Sequence, residues 1–463
     1  MRRLGYQVVD MLVEHFAAMR DKPVTRLPAG DEAKSLLAEE FPEEPAAFDA
    51  LLRDLDERVF RYMGLTTHPR FFAFVPSPSN YISALGDALA AGYNAFLGNW
   101  LQAAGPAHIE EITVAWLRRL CGLPGEAGGL LVSGGSVANL TALAVARQAK
   151  LPIASAPARR LAVAFCSDQT HSCIERAFRL MGFARDQLVR IASDENFRLP
   201  VEELRRHVAV ARESGRVPFC VIANAGTTNT GAVDPLPELA ELCRTEGLWL
   251  HVDGAYGAAA LLSEQAKPLL AGLELADSLA IDPHKWLFQP YEIGCVLVRS
   301  GRALYDTFHT SAEYLSVVHR VAEVNYQDCG IQLTRSFRAL KLWLSLRYFG
   351  VAAFRAAVGH GLRLAEFAEQ VIRETPGLEV VTPAQLAIVS FRYVPPDATA
   401  EETDAANEAI VSRLLADGFA TVTSTSLRGR RVLRLCTINP RTTEDDVRQT
   451  IERIAETAGG ESR

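Results

Sequence analysis

Lys285 stands in Asp282-Pro283-His284-Lys285-Trp286, thirty-two positions beyond Asp253 in His251-Val252-Asp253-Gly254-Ala255-Tyr256. An apolar run, Leu248 to Val252, ends in that acid, and a second, Ser278 to Ile281, leads to the lysine. An amine and a carboxylate, each at the end of a strand, suit one chemistry well. It is a lysine Schiff base to pyridoxal phosphate (PLP), with the acid keeping the pyridine nitrogen protonated. A carboxylate against a pyridinium is a charge-assisted pair, and it keeps the ring able to withdraw electrons. The lysine must be available as a free amine, which burial and nearby positive charge favour by lowering its pKa. The competing reading is a surface lysine and a strand-end aspartate that never meet.

Further segments weigh against that alternative. Ser133-Gly134-Gly135-Ser136-Val137-Ala138-Asn139 lies between a strand and a helix. Its glycines let the backbone approach an anion, Ser136 adds a hydroxyl, and the helix start offers free N–H groups. It is a phosphate cradle, although such a turn also caps ordinary helices, and without Gly-Lys-Ser/Thr it is no Walker motif. Ser167-Asp168-Gln169-Thr170-His171-Ser172 follows another strand, so His171 can stack on a flat ring or merely cap a helix. Asn224-Ala225-Gly226-Thr227-Thr228 follows a third, with Thr228 able to hydrogen-bond a cofactor or simply to complete a turn. His108-Ile109-Glu110-Glu111 lacks HExxH spacing, and no metal site is assigned.

The elements that must position these residues follow from the apolar pattern. Strands are expected at Gly129 to Val132, Leu161 to Phe165, Phe219 to Ala223, Leu248 to Val252, Ser278 to Ile281 and Gly294 to Val298. Helical stretches at Val137 to Gln148, His171 to Met181, Glu202 to Ser214 and Leu236 to Thr245 separate most of the early ones. Short apolar strands spaced by helices imply an α/β fold with a mainly parallel sheet covered on both faces. Such sheets bind ligands at the carboxyl ends of their strands, where the candidate residues fall. Tyr6 to Met19 and Phe48 to Tyr62 read as helices of an N-terminal segment, residues 1–80. A short helical pair cannot bury both faces alone, so this segment is expected to pack on a second copy of the chain. The large domain then covers residues 81–349, ending in a helix near Thr334 to Phe349. Strands at Leu378 to Val381, Leu386 to Phe391 and Arg431 to Leu435, with helices at Thr403 to Asp417 and Glu444 to Ala458, make residues 350–463 a small α+β domain.

Bulk properties narrow the class. At 463 residues the chain is too long for one simple core. Its apolar content of 49% fits a well-filled globular interior. A net charge of -7 argues against a nucleic-acid or anionic-membrane surface. No apolar run reaches bilayer-spanning length, and Asp10 and Glu14 come too early for a signal-peptide core. Eight cysteines without CxxC spacing read as reduced thiols in a cytoplasmic enzyme.

The quoted motifs, together with His68-Pro69-Arg70-Phe71-Phe72 and Leu333-Thr334-Arg335-Ser336-Phe337-Arg338-Ala339-Leu340-Lys341, resemble the group II PLP-dependent amino-acid decarboxylases. Within them the resemblance is strongest to the aromatic L-amino-acid decarboxylases that act on tryptophan, tyrosine or DOPA. It implies PLP fold type I, like aspartate aminotransferase, a homodimer, and loss of carbon dioxide from an L-amino acid. By the same resemblance Lys285 is the Schiff-base lysine, Asp253 the pyridinium partner and His171 the ring-stacking group. Gly135, Ser136, Thr228 and Asp282 contact the cofactor or its phosphate, His284 supports the lysine, and Ser77 contacts substrate. Tyr326, in a polar segment from Phe308 to Gln332 that reads as a lid, takes the place of the tyrosine that protonates Cα after decarboxylation. Relatives that form aldehydes replace that tyrosine by Phe or the stacking histidine by Asn, so Tyr326 and His171 together imply plain decarboxylation. Thr66 and Gly98 fall where animal members carry bulky aromatics, a change that widens the pocket toward indoles. Thr334 falls where plant members use Gly or Ser. Phe71, Phe72, Phe74, Phe96 and Trp100 either line an aromatic pocket or belong to the core. Substrates other than aromatic ones (acidic, diamino or histidine) and a non-catalytic scaffold on the same fold remain alternatives.

Overall fold

The computed structural model describes residues 1–36, 38, 40–151, 156–310 and 324–459. They form two compact units. One comprises Ser77–Leu362 with Gln385–Ala387; the other comprises Met1–Pro76, Arg363–Ala384 and Ile388–Arg463.

The larger unit is built on seven strands: β1 (Gly128–Val132), β2 (Ala162–Ser167), β3 (Leu188–Ile191), β4 (Val217–Asn224), β5 (Trp249–Asp253), β6 (Ser278–Ile281) and β7 (Gly294–Val298). Their order is β1-β7-β6-β5-β4-β2-β3. Neighbours from β3 to β6 are parallel, and only β7 runs antiparallel, between β1 and β6. Every residue of β2, β5, β6 and β7 is buried. That is what unbroken apolar runs produce in a sheet covered on both faces. The helix Gly135–Lys150 crosses the sheet with a buried run, Ala138 to Ala146, broken only at the half-buried Leu140.

Two helices of this unit, Tyr81–Tyr93 and Trp100–Leu120, lie where no element was expected. The second buries Ala103, Ala107, Glu110, Val114 and Leu117, a stripe at helical spacing with a charged residue in its middle. That charge interrupts the apolar pattern by which helices are recognised. The structure also adds β3, only four residues long.

The second unit holds β8 (Leu378–Gln385), β9 (Ile388–Tyr393), β10 (Thr423–Leu427) and β11 (Arg430–Cys436) in the order β10-β11-β9-β8. Helices Ala400–Asp417 and Glu444–Gly459 cover a core that includes Phe391, Ile410, Leu433 and Ile451. The N-terminal residues belong to this unit rather than to a separate domain of residues 1–80. Phe72 sits in its core, Phe71 bridges Thr421, and the Val24 N–H bonds the Gly418 carbonyl at 2.8 Å. The divide from the larger unit falls at Leu362, inside the helix Ala339–Glu374, and not at 349. Gly350, at φ +75°, only kinks that helix. Among the described residues no helix is long and apolar enough to cross a membrane.

Candidate active site

Five strand ends of the larger unit converge on one cavity of about 370 Å³. After β1 come Ser133 to Val137, after β2 Gln169 and His171, and after β4 Asn224 and Gly226 to Thr228. Asp253 closes β5, and Asp282, His284 and Lys285 follow β6. In a parallel sheet all these ends lie along one edge, where α/β proteins bind ligands. Gly226 adopts φ +98°, and a Cβ there would lie 2.8 Å from the Tyr256 ring. A Cβ on Gly135 would lie 2.7 Å from Asp282 Oδ2, so the turn before the helix is open only because it lacks side chains.

Lys285 Nζ lies 3.1 Å from Asp282 Oδ2. Burial opposes its charge, but Asp282 and Asp253 outweigh burial and raise its pKa. This corrects the expectation of a lysine depressed by positive neighbours: its neighbours are acids, and they hold it as an ammonium. Asp282, 2% exposed, is the lysine's counter-ion and also lines the cavity. The His284 Nδ1 donates to the Ile293 carbonyl at 2.7 Å, and burial lowers its pKa. Trp286 is wholly buried and stacks on Tyr256, with centroids 5.2 Å apart, which anchors the lysine's neighbour in the core.

His171 lines the cavity and also caps the helix Ser172–Leu180, its Nδ1 accepting the Cys173 N–H at 3.3 Å. The capping reading therefore holds, and the ring also faces the cavity in which the other reading places it. Burial lowers its pKa, partly offset by Asp253. A neutral ring whose Nδ1 accepts must carry its proton on Nε2. Asp253, 9% exposed, accepts the Ala255 N–H on Oδ1 and the Asn139 amide on Oδ2, both at 3.1 Å. Behind Asn139 lies His251, wholly buried, its Nε2 2.7 Å from Asn139 Oδ1 and its pKa lowered to about 4 by burial. Sequence reasoning missed Asn139 and gave His251 no role. The signal was available: His251 is two residues before Asp253, on the same face of β5, and Asn139 is one helical turn beyond Gly135.

Several expected site residues lie elsewhere. Tyr326 is 4% exposed and is part of the core that contains Leu130, Val132 and Leu304. Its ring lies under Arg335, 4.8 Å from the guanidinium carbon, and burial raises its phenol further above 10. It lines a neighbouring pocket with Glu111, Tyr305 and Asn325 rather than the strand-end cavity, and the proton-donor role rests on the sequence resemblance alone. The segment around it docks on Gly98 to Trp100: Gln327 N–H bonds the Gly98 carbonyl at 2.9 Å and Asn325 Oδ1 accepts the Trp100 N–H at 3.0 Å. Of the expected lid, residues 311–323, including Tyr314, lie outside the described residues.

Ser77, 2% exposed, donates to the Gln289 carbonyl at 3.0 Å and is not a lining residue of the cavity. Phe71 and Phe72 are core residues, Phe74 is 63% exposed, and Trp100 packs on the sheet core. None of these, nor Thr66 or Phe96, lines the cavity. A Cβ at Gly98 would lie 2.3 Å from the Phe96 ring and 2.7 Å from the Leu333 carbonyl, so local packing explains that glycine. Thr334 lines a neighbouring pocket that includes Phe96 and Tyr291, and the Tyr291 ring packs on His284.

PLP fits this cavity. A phosphate can meet the N–H groups that begin the helix after Gly134-Gly135, where no side chain obstructs it. Asp253 offers a carboxylate with neutral donors behind it, and Lys285 offers an amine on the same wall. The volume is in the range of small-ligand sites.

Comparison with known proteins agrees. Residues 30–394 match the family model described as the pyridoxal-dependent decarboxylase conserved domain. An aromatic-L-amino-acid decarboxylase of Bacillus atrophaeus is 47% identical over 459 residues, covering 98% of this chain and 94% of that one. A phenylacetaldehyde synthase of Arabidopsis thaliana is 30% identical, covering 99% and 96%. The crystal structure of Oryza sativa TDC with PLP and tryptamine superposes with a TM-score of 0.93 at 30% identity, covering 100% of this chain and 98% of that one. With the cofactor cavity formed at its strand ends and the family model spanning most of its length, this chain belongs to the pyridoxal-dependent decarboxylases, enzymes of PLP fold type I.

Proposed function

We propose that the enzyme converts an aromatic L-amino acid to the corresponding amine and carbon dioxide. The observation that carries the reading is the meeting of Lys285, Asp253, His171 and the Gly134-Gly135 turn in one cavity. The relative from Bacillus atrophaeus, named for aromatic substrates and 47% identical, supports the substrate class. PLP, when bound, supplies an electron sink for the pair released from the bond between Cα and the carboxylate. Lys285 is the amine that would hold the cofactor through its aldehyde. Asp253 would keep the ring nitrogen protonated, and His171 would pack on the ring. Gly135 and Ser136 would cradle the phosphate, and Thr228 lines the same cavity. Asp282 and His284 hold the lysine's position.

The test is to incubate the PLP-loaded enzyme with a panel of L-amino acids and to follow carbon dioxide, amine and hydrogen peroxide together. Amine equal to carbon dioxide without peroxide, and best with an aromatic substrate, is expected. Aldehyde with peroxide would place the enzyme with relatives such as the phenylacetaldehyde synthase, and turnover of acidic or diamino substrates alone would overturn the aromatic assignment. Lys285→Ala should remove the visible absorbance band of the bound cofactor; a persisting band would exclude the lysine.

A homodimer is part of the same proposal. The helix Arg2–Ala17 buries none of its residues and exposes Tyr6, Val8, Val9 and Val13, and Leu51, Leu55, Val59 and Phe60 are exposed nearby in sequence. Apolar faces of this kind favour a partner surface. Analytical ultracentrifugation should find the dimer mass, and a fully active monomer would refute it. A cytoplasmic location accords with eight free cysteines, seven of them buried; recovery of the native protein outside the cytoplasmic fraction would refute it.

A further inference from the structure

We propose that Asn139 and His251 are positioning residues. With Ser278 and Trp249 they form a one-directional chain of hydrogen bonds that holds Asp253 as a charged acceptor and keeps the shared proton on the cofactor's ring nitrogen. The inference rests on the PLP reading of the cavity.

The direction of every proton in the chain follows from what its two ends can do. At one end the Asp253 carboxylate only accepts, so Asn139 must present its Nδ2 to it, at 3.1 Å. This places Asn139 Oδ1, an acceptor, 2.7 Å from His251 Nε2, which must therefore carry the hydrogen. At the other end the Trp249 indole only donates, and its Nε1 lies 2.8 Å from Ser278 Oγ. The Ser278 hydroxyl is then free to donate to His251 Nδ1, at 2.9 Å. One tautomer of a neutral imidazole satisfies all four links, and the burial that lowers the histidine's pKa keeps it neutral. Asn139, His251 and Ser278 are wholly buried, so water does not compete for these bonds. The second amide hydrogen of Asn139 faces Cys173 Sγ at 3.4 Å, and the Ala255 N–H occupies the other carboxylate oxygen at 3.1 Å.

The consequence is electrostatic. Hydrogen bonds donated to a carboxylate favour its charged form, so each of these donors disfavours transfer of the ring-nitrogen proton to Asp253. Because the donors are neutral, they stabilise the carboxylate without cancelling the charge that the pyridinium needs. An imidazolium in place of neutral His251 would compete with the pyridinium for that charge. Polarisation along the buried chain strengthens each bond.

The experiment uses the holoenzyme loaded with PLP carrying nitrogen-15 in its ring. The wild type is expected to give the resonance of a protonated ring nitrogen. Asn139→Leu, close in size but without donors, is expected to move it toward the unprotonated position. Its kcat should fall roughly tenfold, as when an outer partner of a functional group is removed, with KM little changed. His251→Gln, which keeps an N–H near the place of Nε2, should retain the wild-type resonance, and His251→Leu should shift it. The His251 pair gives the same contrast if Asn139→Leu does not fold. An unshifted resonance in Asn139→Leu or His251→Leu, with only a lower melting temperature, would make the chain a matter of core packing and overturn the proposal. An unprotonated ring in the wild type would also overturn it. A wild-type protein that takes up no PLP would instead defeat the cofactor reading itself, so the two failures are distinct.

Discussion

Lys285 is held between two acids, with Asp282 in contact and Asp253 contributing at longer range. The arrangement keeps a buried cation from being an uncompensated one, and it aims the amine across the cavity wall that Asp253 shares. Tyr326 is the contrasting residue: it packs in the sheet core under Arg335, and the motif around it is the ground for a proton-donor role. On that ground Tyr326→Phe is expected to divert product toward aldehyde and peroxide, as read by product analysis with peroxide detection. Tyr326→Ala should cost about 3 kcal/mol or more of stability by opening a core cavity and removing the contact with Arg335, worth about 1 kcal/mol. An unchanged ratio of amine to aldehyde in Tyr326→Phe would remove the residue from the chemistry.

At the scale of elements, one ion pair explains why the helix Trp100–Leu120 escapes sequence reading. Arg335 and Glu110, both essentially unexposed, pair directly. Glu110 Oε1 also accepts the Leu131 N–H at 2.9 Å, and Arg335 donates to the carbonyls of Leu131 and Leu97 at 2.7 and 3.1 Å. The pair thus ties the helix to β1 and to the segment that leads into the helix Ala339–Glu374. Breaking a buried pair by removing one partner strands the other charge, at a cost of about 3–5 kcal/mol. Glu110→Ala should therefore lower the unfolding free energy by that amount, as read from urea denaturation. A change below about 1 kcal/mol, the scale of an exposed pair, would mean that the pair contributes little. The expected strands were legible because each is an apolar run that both faces of the sheet bury. The helix was not, because its partner charge lies 225 positions away.

For the whole molecule, buried histidines set the acid limb of stability. Burial is the main cause that lowers both His251 and His68 to about 4. Between about pH 4 and 6.5 the unfolded chain binds more protons at these sites than the folded one, so stability rises with pH across that window and is lost as pH falls through it. At pH 5 each histidine withdraws about 2 kcal/mol relative to neutral pH. His171 and His284, also lowered, act in the same direction. The melting temperature should drop from pH 7 to pH 5, and His251→Gln should flatten that slope. A slope that stays the same in the variant would place the effect elsewhere. The division into two units belongs to this scale as well: residues 1–76 share a unit with the C-terminal sheet through contacts such as Phe71 with Thr421, which no local pattern announces.

The sequence by itself determined the alternation of strands and helices, the parallel sheet and the strand-end positions of Lys285, Asp253, His171 and Gly135. These follow from apolar periodicity and from residue types whose chemistry is local. Only the tertiary structure decided what surrounds them. It put Asp282 on the lysine, Asn139 and His251 behind Asp253, and Tyr326 and Phe72 into cores. It also showed Gly98 to be a close approach of backbone to ring, and Glu110 to be half of a buried pair. Some of these contacts join residues far apart in the chain, as Glu110 and Arg335 do, and others join near neighbours, as Asp282 and Lys285 do; in both, burial and pairing set charge, tautomer and reach, which residue order alone does not state.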